Sequence, residues 1–176
     1  MEFNLNSVEG DRVSTGKQIM RPGIHEGVTV TGVMADKTPN GKNVVKVGFV
    51  KENGEELEVS WSMEGGAIPY TTSKLKHMLT KHYEDGDKVA GMNTVDKINA
   101  ALTGRAFRLK VKGVEYMNKE GKVRVKSDIG LPDFCENMVK VSAGASKLKF
   151  DETNKYDVER LPSENVAAPK TDDLPF

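Results

Sequence analysis

The chain has 176 residues, with 26 Lys and Arg balancing 26 Asp and Glu to a formal net charge of zero. Hydrophobic residues make up 37% and the mean hydropathy is −0.51, which fits one domain with extensions and contains no apolar run of membrane-span length. The lone cysteine, Cys135, excludes an intrachain disulfide and a Cys-based zinc site, and Met1-Glu2-Phe3-Asn4-Leu5-Asn6 has no charged-then-apolar leader pattern, so the expected location is the cytoplasm.

Residues 1–23 are polar and weakly patterned, an expected irregular lead-in. Alternation begins at Ile24. Val28, Val30 and Met34 fall on one face of a predicted strand, with Thr29, Thr31 and Val33 on the other, and Gly27 and Gly32 mark bends. The turn cluster from Lys37 to Lys42 leads to a second strand over about 43–51, where Val45, Val47 and Phe49 share a face. Asn53-Gly54 is the strongest hairpin signal in the chain. A third strand follows over 55–63, with Leu57, Val59, Trp61 and Met63 opposing Glu56, Glu58, Ser60 and Ser62. After Gly65-Gly66 and Pro69 the period becomes helical. Leu75, Met78, Leu79 and His82 predict a helix over 72–83, and Val95, Ile98 and Leu102 predict a second over 94–102. Strand patterning returns at Arg105, where Phe107, Leu109 and Val111 oppose Arg108, Lys110 and Lys112. After the turn at 118–121, Lys122-Val123-Arg124-Val125-Lys126 repeats an apolar-in, basic-out code. Beyond Lys126 the pattern weakens, and from Pro162 the composition reads as a disordered tail.

Three strands, a helical insert and two strands predict a mainly β domain, a β-barrel with a helical insert, over 24–161. The order resembles the OB-fold, a five-stranded antiparallel Greek-key barrel with its helix between strands 3 and 4. Another small antiparallel α+β domain shares that order.

Charge is segregated along the chain. From Arg105 to Lys126 eight basic residues face two acidic ones, Glu115 and Glu120. Arg108, Lys110, Lys112, Lys122, Arg124 and Lys126 lie on two strands expected to pair, so their charges would converge on one face. Lys37, Lys42, Lys46 and Lys51 extend it through the second strand and its loop. A solvated strand face gives the same pattern. Single-strand binders add aromatic platforms, because every base has a π-face. Tyr116, in phase with the basic face, and Tyr70, in a loop-like stretch, are the better stacking candidates, followed by Trp61. Trp61, Phe49 and Phe107 fit a packing role at least as well.

Catalysis has little sequence support. His77 and His82 are five apart, off a common helix face, and His25 stands alone. Cys135 has no nearby base, and Glu55, Glu56 and Glu58 read as a solvated acidic edge. No enzyme activity, metal or cofactor is expected.

The chain closes in Asp172-Asp173-Leu174-Pro175-Phe176. An aromatic beside its own carboxylate suits capture by a pocket on another protein. The motif resembles the C-terminal tip of the single-stranded DNA-binding protein (SSB) family of bacteria and phages, and the phage type fits better because the rest of the chain has no close match to the cellular core. The resemblance implies sequence-independent coating of single-stranded DNA in replication, recombination and repair, with the tip recruiting partner proteins. Assembly and DNA contacts of the family are not carried over, and a homo-oligomer stays open. The tip's carboxylates also suit weak competition with DNA for the basic face. Two rival readings are an adaptor that uses the tail without binding DNA and a nucleic-acid enzyme such as a nuclease. RNA or duplex binding on the same barrel is a further alternative.

Overall fold

The computed structural model describes residues 18–130, 133–138 and 146–162. Within these, strands β1 (Gly23–Lys37), β2 (Asn43–Lys51) and β3 (Glu56–Ser62) are followed by a short 3-10 turn (Gly65–Ala67) and helices α1 (Ile68–His82), α2 (Gly86–Gly91) and α3 (Val95–Leu102). Then come β4 (Ala106–Met117), β5 (Val123–Asp128), β6 (Cys135–Asn137) and β7 (Val158–Glu159). The fold is mainly β, with its helices between the third and fourth strands.

The five longer strands form one sheet in the order β3-β2-β1-β4-β5, antiparallel at every step. Two short strands add to β4: β6 antiparallel at Phe107–Leu109, and β7 parallel at Gly113 and Val114. Among the described residues no ladder joins β3 to β5. The gap is crossed instead by the lead-in segment. Glu56 N–H donates to Gln18 O, Met20 N–H donates to Glu56 O, and Ser127 Oγ–H donates to Met20 O. Met20, which the sequence places in an irregular lead-in, is fully buried.

Alternation misassigns the far half of β1. The register runs Val30↔Phe49 and then Gly32↔Gly48, so Thr31 is an extra, bulged residue. The bulge reverses the phase beyond it. Val33 is 4% exposed and Met34 56% exposed, the opposite of the period-two expectation. Asn99 of α3 supports the bulge, its Oδ1 accepting from Val33 N–H (2.8 Å) and from Thr103 Oγ–H (3.0 Å). A second irregularity, between His25 and Val28, sits at Gly27, whose φ of +64° is costly for other residues. The two breaks let β1 pair with β4 along its first half and with β2 along most of its length.

The inner sheet face supplies Val30, Val47, Phe49, Val59, Phe107 and Leu109 to the core, and the helices cover it with Leu75, Met78, Leu79, Ile98 and Leu102. Helix α1 starts four residues before the expected Thr72, with Pro69 in its first turn, where a missing N–H costs nothing. Thr71 Oγ–H donates to Ser62 O (2.6 Å) and ties that turn to the end of β3. Phe134 and Cys135, in a stretch with weak patterning, are also fully buried.

Candidate nucleic-acid interface

Strands β4 and β5 pair as Lys112↔Asp128, Val114↔Lys126, Tyr116↔Arg124 and Met117↔Val123. Directly opposed residues share a face. Lys112, Val114, Tyr116, Arg124, Lys126 and Asp128 therefore lie on one side of the hairpin, and Glu115, Met117, Val123 and Val125 on the other. Strand β1 accompanies β4 only to Val111, so the hairpin beyond extends past its neighbour as an arm. Both of its faces meet solvent: Tyr116 is 41% exposed, and Val123 and Val125 are each 49% exposed. The tip is ordered by Asn118, whose Oδ1 accepts from Glu120 N–H (2.9 Å) and Lys122 N–H (2.8 Å).

The apolar-in expectation for β5 is therefore corrected. Val123 and Val125 do not reach the core: each stays 49% exposed, and the Val125 side chain lies over the Gly113 backbone near the base of the arm.

The cations divide into two groups. On β4, Arg108 pairs with Glu26 (2.6 Å), Lys110 with the buried Asp157, and Lys112 with Glu159 (3.4 Å). On and beside β5, Lys122, Arg124 and Lys126 are exposed and form no ion pair with a described acid. Two of the β2 lysines are also engaged. Lys46 lies between Asp36 (2.9 Å) and Glu58 (3.9 Å); its hydrogen bond lowers the Asp36 carboxyl pKa, and the same contact raises that of the ammonium. Lys51 meets Glu55 (3.3 Å) and His25 Nδ1 (3.1 Å). Lys37 and Lys42 are exposed at the β1–β2 turn.

Of the three stacking candidates, Trp61 is corrected to a core residue. It is 4% exposed, edge-on to Phe134 at 6.2 Å, with the Lys74 ammonium 5.1 Å from its ring centroid. Phe49 and Phe107 are likewise core. Tyr70 is exposed in the first turn of α1, an element separate from the arm. Tyr116 remains, in direct register with Arg124. The structure thus brings together Tyr116, Lys122, Arg124 and Lys126, and leaves Lys37, Lys42, Lys46, Lys51 and Tyr70 on other elements. It adds Met117, Val123 and Val125 as an exposed apolar face that the sequence reading missed.

The groups considered for catalysis have structural surroundings. Burial pushes the Cys135 thiol pKa far up and the His77 imidazole pKa down, and His77 lies against the Phe134 ring at 5.1 Å. Glu55 is held ionised chiefly by the Asn53 amide. Among the described residues no group of three or more His, Cys, Asp or Glu is placed to hold a metal ion, and no helix is long and apolar enough to cross a membrane. Residues 172–176, the expected partner-binding tip, lie outside the described residues.

No protein-family model matches the chain, and no curated protein matches it.

Proposed function

We propose that this chain is a single-stranded DNA-binding protein built on an OB-type barrel, and that the β4–β5 arm is its principal DNA contact. The observation that carries the reading is the exposed face on which Tyr116 opposes Arg124, with Lys122 and Lys126 in the same phase and no described acid paired to them. An aromatic ring among mobile cations matches the two features common to every nucleotide, a flat base and a phosphate. Met117, Val123 and Val125 give the reverse face an apolar surface for a second set of unstacked bases. Nothing in this arrangement reads base edges, so binding is independent of sequence. The strand order β3-β2-β1-β4-β5 and the helices between β3 and β4 support the barrel, with segment 18–20 spanning the seam. The Asp-Asp-Leu-Pro-Phe motif supports a role in coating strands during replication or recombination in the cytoplasm, with partner proteins recruited through 172–176.

Filter binding of labelled oligo-dT, with duplex DNA and RNA as competitors, tests the reading. Binding that falls with salt and is competed poorly by duplex and RNA is expected. The absence of salt-sensitive binding contradicts it and leaves an adaptor without DNA affinity, and divalent-ion-dependent loss of the labelled strand points to a nuclease.

A further inference from the structure

Helix α1 carries Lys74, Lys76 and Lys81 and no Asp or Glu over Ile68–His82. Lys74 is half-buried, yet it forms no ion pair with a described acid. Its ammonium lies 5.1 Å from the centroid of the Trp61 ring, and burial, the largest cause, lowers its pKa. The charge of Asp128 opposes that shift and the charge of Lys112 adds to it. Taking a cation partly out of water without a counter-charge is costly, and a contact with an aromatic face offsets only part of the cost. For the same reason an arriving anion gains more there than at a fully solvated lysine.

Asp128 and Lys112 locate this cation. They oppose each other at the foot of the β4–β5 arm, with Lys112 on the face that also carries Tyr116, Arg124 and Lys126. Both charges reach Lys74, so this side of α1 adjoins the foot of the arm. Tyr70 precedes Lys74 by one turn, at i and i+4 on one helix face, and is 65% exposed. Lys76, two positions beyond Lys74, is off that face. The pairing of an exposed ring with a cation free of acids repeats the one on the arm.

We infer that α1 is a second contact for the single strand held by the arm, with Lys74 receiving a backbone phosphate and Tyr70 stacking on a neighbouring base. This rests on the DNA-binding reading and lengthens its path, which runs from Arg124 and Lys126 past Lys112 onto α1. Phosphates recur along every strand, so a strand that meets the arm presents further phosphates beyond its foot. The chemistry of the contact is the same as on the arm, a cation for the phosphate and a ring for the base.

Salt titrations with oligo-dT of about 16 nucleotides, the upper end of what one OB-fold covers, test the inference. Wild type is compared with Lys74→Met, Lys76→Met, Tyr70→Ala and Arg124→Gln. Methionine keeps an apolar stem over Trp61 and removes the charge. Lys74→Met is expected to bind roughly 10-fold more weakly at low salt and to make the slope of log K against log salt shallower by about 0.7. Lys76→Met removes the same charge from the same helix and is expected to keep the wild-type slope. Tyr70→Ala should weaken binding and leave the slope unchanged. The urea midpoint of Lys74→Met should equal or exceed that of wild type, because an unpaired, partly buried cation costs the fold stability. Wild-type affinity and slope in Lys74→Met overturn the inference, and a lowered urea midpoint beside them makes Lys74 purely structural. An equal loss in Lys76→Met also overturns it, by reducing the effect to net charge. If Arg124→Gln loses slope and Lys74→Met does not, the arm reading stands and the α1 contact alone falls. A wild type without salt-sensitive binding removes both.

Discussion

Tyr116 and Arg124 oppose each other on an exposed face, whereas Trp61, the sole tryptophan, is sealed beneath the sheet. The two aromatics should therefore respond differently to substitution. Tyr116→Ala is expected to weaken oligo-dT binding by roughly 5- to 150-fold, the range of about 1–3 kcal/mol per stacked base. Trp61→Phe should leave that affinity unchanged, and anisotropy titrations of both variants check the contrast. Lys110 behaves differently from the arm cations, because its partner Asp157 is buried. Lys110→Ala removes the cation from that carboxylate, which keeps the Asp151 N–H as a donor, and should cost about 3 kcal/mol in urea unfolding, the low end for breaking a buried pair, while DNA affinity holds. His77 supplies a pH term. Burial lowers its folded-state pKa below the unfolded value of about 6.5, so the unfolded chain binds the extra proton on acidification. Its contribution is complete above pH ~6.5 and is lost as the pH falls from there toward the folded value. The urea midpoint should drop between pH 7.5 and 5.5, and His77→Gln should flatten that drop.

At the scale of elements, the β1 bulge sets which residues of its second half enter the core. Val33 N–H at the bulge depends on the Asn99 side chain, so Asn99→Ala should cost about 1–3 kcal/mol in urea unfolding, the penalty of leaving a partly buried donor unpaired. The meander, the Asn53-Gly54 hairpin and the amphipathic helices were legible in the sequence because each rests on contacts within a few residues. The inversion at Val33 and Met34 was not, since a bulge adds one residue without breaking the apolar run that marks the strand. The exposure of Val123 and Val125 was hidden for a related reason. Two valines between basic residues look core-facing, and only the tertiary structure shows that the described residues leave each of them 49% exposed. The neutralisation of Lys110 and Lys112 depends on Asp157 and Glu159, more than forty-five positions away, which strand patterning does not connect. The cationic stretch itself was legible, but which of its cations stay unpaired was decided by tertiary contacts.

Across the whole molecule, zero net charge conceals a separation between paired and unpaired cations. Those on β4, together with Lys46 and Lys51, hold acids from neighbouring elements and contribute to the domain. Those on the arm project into solvent beside an aromatic ring. On this reading DNA affinity is concentrated in one protruding hairpin, and the overall charge predicts little about it. Each phosphate contact to a single strand steepens the dependence of log K on log salt by about 0.7. The most direct test is a salt titration of oligo-dT binding by wild type and by the triple variant Lys122→Gln, Arg124→Gln, Lys126→Gln. A slope shallower by about 2 in the triple variant, with weaker binding at every salt concentration, is the predicted result. An unchanged slope and affinity would contradict assignment of the DNA-binding face to the β4–β5 arm.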